Sequence, residues 1–198
     1  VGMWLCSYAV GGFEARNTLT LWRGSPLVGF KHDGVIYDGG SIEQEDGQWR
    51  FRFSLPSEPV LYRPCVGMLA CFVRTEDTML HGVWRSGQVW RWTDTRLRLH
   101  PSAILKTQHG WLLAARELRL VDVKDADKYP GVVYTASVTL WSVDGNRLKK
   151  VLTLPGGEDC AYASLAAGGK GTILVSYYRS DTAPAPCAEV WVADVRVE

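Results

Sequence analysis

The chain has 198 residues, 46% of them hydrophobic, and sets 22 basic against 21 acidic side chains for a formal charge of +1. That length and apolar share suffice for one sizeable core and exclude a disordered chain, while the balanced, dispersed charge excludes the basic stripe of a nucleic-acid or anionic-membrane binder. No stretch reaches the roughly 18 apolar residues that a membrane span requires.

Five cysteines, Cys6, Cys65, Cys71, Cys160 and Cys187, form no CxxC pair and meet no histidine at zinc-ligand spacing. No metal cluster and no cofactor are therefore expected. The odd count argues against a complete disulfide framework. Buried free thiols are expected, with a single Cys160–Cys187 bridge between neighbouring strands left open as the alternative.

The apolar start Val1–Val10 lacks the charged flank of a signal peptide and reads as a strand, which leaves room for a processed or truncated form of a longer chain. Within it begins a pattern that recurs: a glycine followed by a short apolar run. It occurs at Gly2–Tyr8, Gly67–Val73, Gly110–Arg116 and Gly171–Tyr177. After each copy comes a polar loop and a second strand carrying tryptophan, at Leu19–Trp22, His81–Trp84, Ser137–Trp141 and Glu189–Val192. Before the last three copies lies another short run, at Val60–Val66, Ser102–Lys106 and Tyr162–Ala167. Between the first and second units, Gly34–Tyr37 and Trp49–Phe53 read as outer strands around a turn at Glu45-Asp46-Gly47.

Antiparallel units of this size, with almost no helical periodicity between them, fit propeller blades better than a sandwich. The expected fold is all-β: one β-propeller domain over residues 1–198, with about four blade-like units that form a small closed ring or part of a ring of five or six. Most of the nine tryptophans are expected in the wedges between sheets.

The last unit, Gly157-Glu-Asp-Cys-Ala-Tyr-Ala-Ser-Leu165 followed by Gly171–Tyr178 and the closing strand Val190–Val197, resembles the terminal blade of sialidase-like (BNR-repeat) propellers. Pro101-Ser-Ala-Ile with Gly110–Arg116 resembles that family's inner strand and glycine turn leading to an arginine. The Asp box, Ser-x-Asp-x-Gly-x-x-Trp, is present only as worn copies at Ser142-Val-Asp144-Gly145, Ser86–Trp90 and Glu45–Trp49. These are expected to be structural turns.

In antiparallel blades the start of an inner strand and the end of the next share one end. Arg63 and Tyr162 are expected to begin inner strands, and Tyr8, Arg74, Arg116, Glu117, Tyr177 and Tyr178 to finish second strands, all on one face. The resemblance implies a tyrosine nucleophile assisted by a carboxylate, and arginines whose planar forks hold a substrate carboxylate. It makes Tyr162 the nucleophile, Asp159 or Glu117 the acid or base, Arg116 one binding arginine, Arg63 or Arg74 another, and Tyr178 a further substrate contact. His100, just before an inner strand, is expected to be a satisfied structural histidine.

The loop Leu118–Val133, with Asp122, Asp125, Asp127 and Lys128, reads as a solvated surface loop, with a lid as the alternative. Gly168-Gly-Lys-Gly-Thr172 lacks the order of a phosphate loop and is expected to be a hairpin turn. Two functions follow: a glycoside hydrolase acting on a glycan, or a non-catalytic propeller binding a glycan or protein through the same face. Oligomeric state stays open, and an extracellular or periplasmic site rests on analogy with glycan-acting propellers alone.

Overall fold

The structure, a computed structural model, describes residues 3–9, 18–39, 42–45, 48–51, 56–75, 78–120, 134–181 and 187–196. It is all-β: these residues form antiparallel strands and one short 3-10 turn at Gly169–Gly171, the segment read above as a hairpin turn. The chain divides into two compact units, Val1–Leu97 and Arg98–Glu198.

The first unit holds a three-stranded sheet of β1 (Met3–Ala9), β2 (Thr18–Ser25) and β3 (Gly29–Asp38), then a ribbon of β4 (Ile42–Glu45) and β5 (Gln48–Phe51). A four-stranded sheet follows: β6 (Ser57–Tyr62), β7 (Met68–Arg74), β8 (Met79–Arg85) and β9 (Arg91–Asp94). The second unit holds the four-stranded sheet β10 (Leu99–Thr107), β11 (Gly110–Leu120), β12 (Tyr134–Asp144), β13 (Arg147–Thr153) and the three-stranded sheet β14 (Asp159–Ala167), β15 (Thr172–Asp181), β16 (Cys187–Arg196).

The recurring pattern maps onto this order directly. The four glycine-led runs become β1, β7, β11 and β15, and the tryptophan runs lie in β2, β8, β12 and β16. Gly67, Gly110 and Gly171 take positive φ values of 75°, 119° and 79°, which a side chain resists, so each glycine turns the chain into the strand that follows. The Asp144–Gly145 and Ser86–Gly87 pairs sit in the β12–β13 and β8–β9 turns. Asp46, Gly47, Phe53 and the segment 121–133 fall outside the described residues.

Several boundaries differ. β10 begins at Leu99 and β14 at Asp159, three residues before the runs at Ser102 and Tyr162, so Tyr162 lies inside its strand, and β11 and β15 continue past Glu117 and Tyr178 to Leu120 and Asp181. The run Val60–Val66 is cut short at Tyr62, because Cys65–Gly67 form a turn closed by the Met68 N–H donating to Cys65 O at 3.3 Å. Arg63 therefore follows an inner strand instead of beginning one.

Alternation along the strands builds the cores. In the first unit Leu19, Leu21, Ile36, Leu69 and Val73 are buried together, with Trp4, Trp84, Trp90 and Trp92 packed at their margin. Trp92 is fixed at both ends: its Nε1–H donates to Ile36 O at 3.0 Å, and its ring meets Tyr37 edge-on at 5.0 Å. Gly82 leaves the space that the ring fills, since a Cβ there would stand 2.5–2.7 Å from ring carbons.

In the second unit Leu112, Ala114, Ala136, Val138 and Leu140 of one sheet pack with Cys160, Ala163, Ile173, Val175, Tyr177 and Val195 of the other. Each fully buried aliphatic side chain there contributes about 1.5–3 kcal/mol of transfer free energy. Cys160 is a free, fully buried thiol, which removes the Cys160–Cys187 bridge. The sheet order explains why: β15 lies between β14 and β16, with Cys160 opposite Arg179 and Cys187 opposite Asp181. Strands two places apart are about 9–10 Å distant, beyond disulfide reach.

Candidate functional site

The clearest polar constellation lies in the second unit, where β11 meets the start of β14 at Arg116 and Asp159. Leu112, Ala114, Arg116 and Leu118 alternate onto the face of β11 that packs on the β14–β16 sheet, so Arg116 is a polar member within an apolar row. Its Nη1–H donates to Asp159 Oδ1 at 3.0 Å, and its Nε–H donates to His100 Nδ1 at 3.0 Å, with Nη2 2.6 Å from the same nitrogen. The register sets this up, because His100 stands directly opposite Arg116 in the β10–β11 pairing.

Asp159, the first residue of β14, also accepts from the Tyr178 hydroxyl, Oη to Oδ2 at 2.5 Å. Burial, followed by the hydrogen bond to Asp159 and the charge of that carboxylate, pushes the Tyr178 phenol up to about 12. The phenol is therefore neutral at ordinary pH and acts as a donor.

Tyr162 completes the cluster. β14 bulges against β15 between Ala161 and Ser164, and in that bulge Tyr162 takes φ 51°, a left-handed conformation uncommon for a bulky side chain. Its ring lies 5.8 Å from that of Tyr178, tilted by 38°, and the residue is 68% exposed. An apolar ring held open to solvent on strained backbone is a feature that packing does not require.

The other sequence-derived residues lie elsewhere. Glu117 leaves the opposite face of β11, where Lys150 Nζ donates to its Oε1 at 2.7 Å and its Oε2 at 2.5 Å, and Lys150 sits 5.1 Å over the Trp141 ring. Arg119 lies 3.6 Å from Glu117 as well. In the first unit Arg74 pairs with Glu58 at 3.4 Å. Arg63 is exposed beyond the far end of that hairpin, since Ser57 is the residue opposite Arg74. Tyr8, near the end of β1, is exposed in the first unit.

Glu58 was not among the sequence candidates. It sits at φ 52° in the β6 bulge between Ser57 and Val60, and this is the position that Tyr162 occupies in β14. Arg74 then corresponds to Tyr178, each facing the residue just before its bulge. Neither bulge residue is a glycine or asparagine, so composition carries no sign of the left-handed backbone. His100 had a sequence signal, its place before an inner strand, but its partner emerges only from the register.

The chain matches no protein-family model and no curated protein sequence. It is similar in structure to the Bombyx mori GH32 beta-fructofuranosidase BmSUC1, at a TM-score of 0.50 and 12% sequence identity, over 96% of this chain and 47% of that one. The chain thus spans about half the length of that enzyme. The likeness shows the fold, a β-propeller whose blades are the antiparallel sheets described above.

Proposed function

We propose that the Arg116–Asp159–Tyr178–Tyr162 cluster is a glycan site of glycosidase type, and that Tyr178, paired with Asp159, is its reacting tyrosine. The observation that carries this reading is the Tyr178–Asp159 hydrogen bond of 2.5 Å beside the exposed ring of Tyr162. A tyrosine paired with a carboxylate is the chemistry that sialidase-like enzymes use in place of two carboxylates. The nucleophile role moves from Tyr162 to Tyr178 because the carboxylate is bonded to Tyr178.

In this reading the sugar stacks on the Tyr162 ring, and the Tyr178 oxygen attacks the anomeric carbon as its proton passes to Asp159 Oδ2 and the glycosidic C–O bond breaks, the leaving oxygen taking a proton from water. Water then displaces Tyr178 from the anomeric carbon, and the phenol recovers its proton from Asp159. A phenol held near 12 makes a poor free nucleophile, so proton transfer has to accompany bond formation. Arg116 aims Asp159 through its Nη1–H, and His100 fixes the guanidinium in turn. A second reading, binding without hydrolysis, is favoured by one observation. Glu117, the other carboxylate considered for acid–base work, is held by Lys150 on the opposite face of β11.

The test is a panel of glycans and aryl glycosides assayed for turnover and, by calorimetry, for binding. Tyr178→Phe is expected to abolish turnover and retain binding, whereas Tyr162→Gly weakens both. Binding without turnover in the parent chain would establish the second reading. Neither binding nor turnover would overturn the site.

A further inference from the structure

From the charge balance of this cluster we infer that its ligand is a neutral saccharide and not a carboxylated one; the inference rests on the glycan-site reading above. The resemblance assigns Arg116 to a substrate carboxylate, but three of its five N–H groups, on all three nitrogens, already face Asp159 and His100. Nη1 serves Asp159, and Nε and Nη2 meet His100. His100 accepts on Nδ1, so it presents a lone pair there and no compensating positive charge.

Exposure decides which half of the ion pair a ligand meets. The Asp159 side chain is 45% exposed and that of Arg116 only 18%, so the accessible partner is the anion. A sugar carboxylate approaching Tyr162 meets a net-neutral pair with its negative end outward. Sugar hydroxyls, by contrast, are donors that an exposed carboxylate accepts well, and the C–H face of a neutral ring suits the Tyr162 ring, which is 68% exposed. Lys150, on the other face of β11, is already paired with Glu117 and brings no cation to the site.

The experiment measures binding of the full chain to matched ligands at low salt: lactose against sialyllactose, and cellotriose against trigalacturonate. The expected result is a preference of about tenfold or more for the neutral member of each pair. Asp159→Asn, with its fold checked by circular dichroism, removes the outward anion and frees Arg116. It is expected to raise affinity for the two acidic ligands about tenfold while neutral binding falls. Arg116→Ala serves as the control and is expected to yield no such gain.

A parent chain that prefers the acidic ligands, with binding that Tyr162→Gly abolishes, overturns this inference and leaves the glycan site standing. An Asp159→Asn variant that folds and gains no acidic binding also overturns it. If no glycan of either set binds, or if Tyr162→Gly changes nothing, the glycan-site reading fails, and the inference falls with it.

Discussion

Arg116 and Glu117 are consecutive residues of β11, and their side chains leave opposite faces of the sheet, one to Asp159 and His100, the other to Lys150. Substituting them should therefore separate function from stability. Arg116→Ala is expected to cost about 1–3 kcal/mol, since it leaves the buried His100 and the Asp159 carboxylate without their charged donor, and to impair glycan binding. Glu117→Gln removes a partly exposed pair, should cost about 0.5–1 kcal/mol and should leave glycan binding unchanged. Denaturant melts beside binding isotherms check both.

The Tyr178 phenol supplies an alkaline signature. Its folded-state value is raised from 10.0 to about 12, first by burial and then by Asp159. Between those values the folded chain keeps a proton that the unfolded chain has lost. This contribution to stability is thus complete below pH 10 and declines as pH rises towards 12. Tyr62 and Tyr177 are also raised by burial, so tyrosinate absorbance should show several late-titrating tyrosines, and Tyr178→Phe should lower their number by one and lessen the fall of Tm with pH.

Tyr162 trades stability for exposure. Its left-handed φ costs about 1–2 kcal/mol that a glycine does not incur, and its exposed ring gives little burial in return. After the entropy of glycine is subtracted, Tyr162→Gly is expected to gain about 0.5–1 kcal/mol while weakening glycan binding. A Tm that drops by several degrees would show the ring to be structural.

Gly82 tests the tryptophan wedge. A methyl group there stands against the Trp92 ring, whose Nε1–H is tied to Ile36 O. Gly82→Ala should cost about 1–3 kcal/mol and shift the Trp fluorescence maximum to the red as the ring is pushed outward.

Thiol accessibility should follow burial. Cys65 is exposed and is expected to react promptly with a disulfide reagent at pH 8, whereas Cys160, buried and with its pKa raised to about 11, should react only on unfolding. Burial is the largest cause of that shift, ahead of the charge of Asp159. Rapid labelling of Cys160 in the folded chain, read by peptide mapping, would contradict its place in the core.

Glycine placement and hydrophobic alternation alone were enough to indicate the class of the fold and the identity of its repeated strands. These depend on local rules: a glycine admits the turn, and a period of two sends apolar residues to one face. Strand-end geometry grouped Arg116, Tyr162 and Tyr178 with other candidates, and the family resemblance added Asp159. Only the tertiary structure decided which of these meet. The opposite directions of Arg116 and Glu117, the pairing of Asp159 with Tyr178 and the end of β6 before Arg63 depend on register and on contact between sheets. The bulges at Glu58 and Tyr162 carry no sequence mark, because the left-handed backbone there is imposed by the pairing on either side and not by the residue itself.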